Sequence, residues 1–195
     1  LTVMLLIDVS GSNEFGTQMQ FKSELITEVA AVMAFSAINN NDKVGVIFFS
    51  DKVEKFIPPK KGITHILRII RELVDYKPEN NNTNISEALR FLTNAIKKRC
   101  TAFVISDFLS HNFSQALRIA SGKHDLIALQ VVDPAEQQLP DLGLVHMLDN
   151  ETLEYRWVDT SSSKFRDQYA LKWKQNMSET LNIFRQSGID HALLE

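Results

Sequence analysis

An apolar run, Leu5-Leu6-Ile7, stops at Asp8, and serines follow at alternate positions, Ser10 and Ser12. A strand that ends in Asp-x-Ser-x-Ser presents a carboxylate and two hydroxyls at its tip. Hard oxygen donors of this kind suit Mg²⁺, Mn²⁺ or Ca²⁺. Two distant segments carry matching chemistry. Thr83 follows the polar run Glu79 to Asn82, and Asp107 closes a second apolar run, Thr101 to Ser106. In a parallel sheet, aspartates that end two strands emerge at the same edge. Thr83 precedes a helix on that edge, where Asn84-Ile85-Ser86-Glu87 has the form of a capping box. Asp8, Ser10, Ser12, Thr83 and Asp107 therefore converge on one point. Serine and threonine hydroxyls fill coordination positions without cancelling the ion's charge, so two carboxylates leave a divalent ion electrophilic. An octahedral ion held by few protein groups keeps waters elsewhere, and the carboxylate of a partner's Asp or Glu can replace one.

The elements that must position these groups alternate along the chain. Thr2 to Ile7, Lys43 to Phe49, Thr101 to Ser106 and Asp125 to Val132 read as strands covered on both faces. Gln18 to Asn39 has helical period, with Phe21, Leu25, Val29, Val32, Met33 and Ser36 on one stripe and Ala30, Ala31, Ala34 and Phe35 widening it. Val53 to Ile57 reads as a short strand stopped by Pro58-Pro59. Further helices are expected over Thr64 to Tyr76, Ile85 to Lys97, Phe113 to Ser121 and Ser161 to Gln186. A hairpin is expected from Leu144 to Val158, and a last strand from Ile189 to Leu194. The result is α/β, an open and mostly parallel sheet with helices on both faces. Asp42-Lys43-Val44-Gly45 enters its strand at the opposite edge and reads as structural, and Trp157 and Trp173 read as packing residues.

With 195 residues, positions 1–195 suffice for one well-packed domain. The chain opens directly on a strand, as a piece cut from a longer one would. Hydrophobic content of 44% and charged content of 23% exclude disordered and fibrous classes. The net charge is −3, and the short Lys60-Lys61 and Lys97-Lys98-Arg99 clusters read as solvated ends, so no nucleic-acid partner is expected. Cys100 is the one cysteine. No internal disulfide can form, which fits a reducing, cytoplasmic compartment. No apolar stretch reaches the ~20 residues that span a bilayer, and the start lacks a signal-peptide pattern, so this segment is expected to make no membrane contact.

Two enzymatic readings compete with metal-mediated binding. Ser10, Asp107 and His124 could form a hydrolytic triad, but a nucleophile elbow needs Gly-x-Ser-x-Gly and position 8 is Asp. His124 also begins a strand, at the edge opposite Asp107. A Mg²⁺-dependent phosphohydrolase would use the same hydroxyls and carboxylates, though no glycine-rich phosphate loop or Walker lysine accompanies them. His65, His111, His146 and His191 lack ligand spacing, and His111 alone follows a site loop.

The five-residue pattern resembles the metal-ion-dependent adhesion site of von Willebrand factor type A domains: Asp8-x-Ser10-x-Ser12 matches its first loop, Thr83 its second and Asp107 its third. More of the chain resembles the bacterial family called domain of unknown function 58. The resemblance rests on Pro58-Pro59-Lys60-Lys61-Gly62, Arg68-Ile69-Ile70-Arg71-Glu72-Leu73, Ser106-Asp107-Phe108, Asp133-Pro134-x-Glu136-x-x-Leu139-Pro140-Asp141-x-Gly143 and Val158-Asp159-Thr160. It implies a three-layer Rossmann-like von Willebrand A fold with strand order near 3-2-1-4-5-6 and one antiparallel edge strand. It implies further segments on both sides. It also implies a metal-dependent protein-protein interaction module acting with a MoxR-type AAA+ ATPase in protein assembly or maturation. The family often has Gly-Thr-Asp at the second loop, where this chain has Asn82-Thr83-Asn84, one negative charge fewer. A partner-binding rim is expected from Asn13, Glu14, Phe15, Asn84, Phe108 and His111, with Leu109 and Asn112 beside them.

Overall fold

A computed structural model describes residues 1–10, 19–76, 82–110, 112–133, 136–149 and 154–194. Its elements in chain order are β1 (Thr2–Asp8), α1 (Met19–Asn39), β2 (Lys43–Phe49), β3 (Val53–Lys60), α2 (Ile63–Val74), α3 (Ile85–Ala95), β4 (Thr101–Ser106), α4 (Ser114–Ser121), β5 (Asp125–Val131), β6 (Leu144–Asp149), β7 (Glu154–Asp159), α5 (Ser163–Ser187) and β8 (Asp190–Leu194). Six strands form one sheet in the order β3-β2-β1-β4-β5-β8. β3 runs antiparallel on β2, and the other pairs are parallel. The resemblance-based order holds, with β8 as the sixth strand because the β6–β7 hairpin is a separate two-stranded sheet.

β1 and β2 are buried almost throughout, as continuous Val/Ile/Leu runs in a two-sided sheet must be. Side chains alternate between the faces. Leu5, Ile7, Val46 and Phe48 meet Ile26, Ala30 and Ala34 of α1 and Ile66, Ile69 and Leu73 of α2. Met4, Leu6, Ile47, Ala102 and Val104 meet Leu89 and Leu92 of α3, Leu117 of α4 and Phe184 of α5. Helices thus cover both faces, making three layers.

Three expectations need correction. The buried stripe of α1 is Lys22, Ile26, Ala30, Ala34 and Ala37, while Val32 is 62% exposed and Phe35 is also exposed. Small alanines let the helix lie close to the sheet, so they face inward and the larger residues flank them. The prolines do not stop β3, which continues through Pro58 and Pro59 to Lys60. As an edge strand it tolerates missing N–H donors, and a register shift between Val44 and Val46 absorbs the irregularity. That shift surrounds Gly45, where an added Cβ would stand 2.8 Å from Met4 Sδ and 2.9 Å from the Pro59 nitrogen. Finally, Trp157 is not a packing residue: it is 66% exposed.

At the edge where β4 and β5 begin, Cys100 Sγ lies 3.3 Å from His124 Nδ1, both side chains buried. Burial, then the Asp125 charge, pushes the thiol to about 11. Burial, then Lys123 and Arg99, pushes His124 below the usual imidazole range. The thiolate is the nucleophile, so iodoacetamide at mildly alkaline pH is expected to leave Cys100 unmodified in the folded protein and to alkylate it fully in denaturant. Fast labelling of native protein, read by intact mass, would contradict this packing.

Candidate metal site

β1, β2 and β4 are parallel and in register, with Ile7 opposite Phe48 on one side and Ile105 on the other. Their carboxyl ends therefore coincide. Val9 N–H donates to the Phe49 carbonyl at 2.9 Å, which carries the β1–β2 ladder past Asp8. The Asn84 N–H donates to the Ser50 carbonyl at 2.7 Å, tying the loop before α3 to the tip of β2. Asn84 caps α3, its side chain accepting from the Glu87 N–H at 3.2 Å. Only this half of the capping box forms, because the backbone N–H that Glu87 would reach is already held by Ser50.

Four predicted ligands lie together on this edge. Ser10 N–H donates to Asp8 Oδ1 at 3.0 Å, and Thr83 Oγ1 donates to Ser10 Oγ at 2.7 Å across 73 residues. Asp107, one step beyond the end of β4, accepts from its own loop through Leu109 N–H at 3.0 Å. Asp8, Ser10 and Asp107 are buried, and Thr83 is half-buried. Burial, and next the Asp107 charge, raises the Asp8 carboxyl from its ordinary 3.8 to about 7, against the hydrogen bonds from Ser10 and Ser106. Two buried carboxylates that repel one another favour a proton or a cation between them. The donor set fits a hard divalent ion. Among the described residues no three His, Cys, Asp or Glu side chains cluster as metal ligands, so hydroxyls have to complete any shell. Ser12, Asn13, Glu14, Phe15 and His111 lie outside the described residues.

Phe108 is not on the rim. It is 2% exposed and packs edge-on against Phe184, ring centroids 4.9 Å apart, and against Phe113 at 5.8 Å. Its φ of +57° accompanies a side chain turned into the core, so the residue after Asp107 anchors the loop. Asn84 and Leu109 are exposed at the edge.

Two residues escaped the sequence reading. Ser106 Oγ donates to Asp8 Oδ2 at 2.6 Å and accepts from Phe108 N–H at 3.1 Å, so one buried hydroxyl orients both the first and third loops. A hydroxyl closing an apolar run beside Asp107 was the available signal. Gln130, buried near the end of β5, donates through Nε2 to the Asp107 carbonyl at 3.1 Å. Nearby, Lys22 and Glu136 form a 2.6 Å ion pair between α1 and the segment after β5. The triad alternative fails on geometry, since His124 lies where β5 begins and Asp107 where β4 ends.

A mostly parallel sheet in this order, with one antiparallel edge strand and helices on both faces, defines a von Willebrand A-like α/β domain. Solved structures agree on the fold. An aerotolerance-related membrane protein of Bacteroides fragilis matches with a TM-score of 0.65 at 15% identity, covering 100% of this chain and 92% of that one. A von Willebrand factor type A protein of Catenulispora acidiphila matches at 0.51 and 15%, covering 87% and 42%. Proximal thread matrix protein 1 of the mussel byssus, whose structure has a zinc-occupied MIDAS motif, matches at 0.53 and 16%, covering 68% and 38%. The family model described as "Protein of unknown function DUF58" matches residues 1–179, and the chain belongs to that family. An uncharacterized protein of Mycobacterium tuberculosis is 28% identical over 191 residues, 96% of this chain. The chain spans 60% of the length of that relative.

Proposed function

We propose that this domain is a metal-dependent protein-binding module and not a catalyst. Asp8, Ser10, Ser12, Thr83 and Asp107 hold Mg²⁺, or Mn²⁺ or Ca²⁺ in its place, and a partner's Asp or Glu carboxylate supplies the last ligand. The observation that carries the reading is the meeting of three loops: Thr83 donates to Ser10, and Asp8 and Asp107 are both buried at the coincident ends of β1 and β4. The von Willebrand A-like fold and the zinc-occupied site of the mussel protein support the same chemistry. The partner that offers this carboxylate is a MoxR-type AAA+ ATPase, with which the domain acts in protein assembly or maturation, in keeping with the family resemblance, and the working compartment is the cytoplasm. Among the described residues no helix is long and apolar enough to cross a membrane.

The test is binding to the MoxR-type ATPase of the source cell by biolayer interferometry, with Mg²⁺ and with excess EDTA. Mg²⁺-dependent binding is expected. Binding unchanged by EDTA, or Asp8-dependent turnover of a generic phosphoester, would overturn the proposal, the latter in favour of the phosphohydrolase.

The second loop allows a graded test. Asn84 puts a neutral amide where the family often has a carboxylate, and it already caps α3. Asn84→Asp keeps a capping oxygen and adds a negative charge near the ion. Mg²⁺ affinity by calorimetry is expected to rise by roughly three- to tenfold, the scale of one partly screened charge. Equal affinities would remove position 84 from the site's electrostatics.

A further inference from the structure

The β6–β7 hairpin lies outside the main sheet, and its cross-strand register sorts its side chains. Leu144, His146, Tyr155 and Trp157 share one face, with His146 directly opposite Trp157. Val145 and Val158 share the other face and are half-buried. The first face is open: Leu144 is 63%, Tyr155 59% and Trp157 66% exposed. The His146 ring centroid lies 4.8 Å from those of both Tyr155 and Trp157, so three rings form a continuous platform. A lone two-stranded hairpin is marginal in water, and contiguous exposed aromatics mark interaction sites. Trp and Tyr are also the residues that dominate binding energy.

The base of the hairpin is fixed. Thr160, buried, donates through Oγ1 to the Gly143 carbonyl at 2.7 Å and accepts from Leu142 N–H at 3.0 Å. Arg166 of α5 donates to the Thr160 carbonyl at 2.6 Å and pairs with Asp141 at 3.4 Å. Because the hairpin leaves the end of β5 and enters the start of α5, it belongs to the same edge of the sheet as the metal site.

Charge identifies the occupant. Residues 141–159 contain five acids (Asp141, Asp149, Glu151, Glu154 and Asp159) against Arg156, a net of −4 in a chain whose total is −3. Such a segment repels phosphate-bearing partners, anionic lipid surfaces and a second copy of itself. By register Asp149 and Glu154 fall on the face opposite the rings and Asp159 on theirs, so the acids draw a cation through the net charge of the segment, and a guanidinium is the cationic group that also stacks on aromatic faces.

We propose that the aromatic face of the hairpin, centred on Trp157, binds an arginine-rich segment of a partner protein, independently of the metal site. The experiment titrates the chain with a hexa-arginine peptide in EDTA, following hairpin amide resonances and tryptophan emission. Expected are saturable shifts at Tyr155 and Trp157, tighter binding than hexalysine, and weakening in high salt. Trp157→Ala, at an exposed position, is expected to lower affinity about tenfold, the scale of a lost cation–π contact, with an unchanged unfolding temperature. Tyr155→Ala, expected to weaken binding less, is the second variant should Trp157→Ala fail to fold. No binding, binding equal in the native protein and the variants, or a dimer in sedimentation that Trp157→Ala dissolves would overturn the proposal. EDTA in every arm separates this outcome from that of the metal-site reading.

Discussion

Asp8→Ala is expected to lower Mg²⁺ affinity, measured by isothermal calorimetry, on the order of a hundredfold or more, because it removes one of two carboxylates in a site otherwise made of hydroxyls. The fold should survive. Substitution leaves the hydrogen-bond donors of Ser10 N–H and Ser106 Oγ without their acceptor, but it also removes a buried charge held beside Asp107. Asp8→Asn, close in shape, should show the same affinity loss with less structural cost. The raised Asp8 carboxyl sets the pH dependence. Its value is about 7 in the folded protein against 3.8 ordinarily, so between those values the unfolded chain gives up its proton while the folded one keeps it. Without a cation, the part of the stability owed to Asp8 is therefore fully present below pH 3.8 and is lost as pH rises through about 7. A bound divalent ion offsets that loss, and protons compete with it, so the rise in unfolding temperature on adding Mg²⁺ should be larger above pH 7 than near pH 5. An equal Mg²⁺ effect at both pH values, or undiminished affinity in Asp8→Asn, would remove Asp8 from the ligand set.

Phe184→Ala is expected to carry the largest stability cost of a single side chain, about 3–5 kcal/mol. Phe184 is fully buried near the end of α5 and meets Phe108, Phe113 and His191, with ring centroids at 4.9, 6.5 and 5.7 Å. Removing the ring takes away the shared partner of these side chains and leaves a cavity under the loop that holds Asp107. For a chain of this size the unfolding temperature should fall by roughly 10 °C. Because Phe108 directly follows Asp107, Mg²⁺ affinity should fall as well, by less than in Asp8→Ala. Urea unfolding with a change below about 1 kcal/mol would show that the helix end closes over the gap. A large stability loss with unchanged Mg²⁺ affinity would show that the loop is held by Ser106 and Gln130 alone.

Much of the architecture was legible in the sequence because buried parallel strands are written as unbroken apolar runs, and their ends as single polar residues. Thr2 to Ile7, Lys43 to Phe49 and Thr101 to Ser106 gave both the strands and the aspartates that close two of them. Placing Asp8 and Asp107 on one edge needed only the rule that parallel strands end together, and Thr83 joined them as the residue ahead of a helix on that edge. The helix faces were less legible. In α1 Val32 and Phe35 were expected on the buried face together with Ala30 and Ala34, yet only the alanines, with Ala37, are buried there, since how closely a helix approaches a sheet is a property of both surfaces. Phe108 read as a rim residue for the same reason: no local pattern reports that a φ of +57° sends its ring into the core.

By itself, then, the sequence determined the order of elements, the sheet edge that carries the oxygen donors, and their chemical kind, because these follow from periodicity and from where apolar runs stop. Tertiary structure alone decided which hydroxyl orients Asp8, how Phe108 ties the Asp107 loop to Phe184, and that Trp157 faces solvent beside His146 and Tyr155. Each of these depends on side chains far apart in the chain meeting in space, and local spacing carries no record of such meetings.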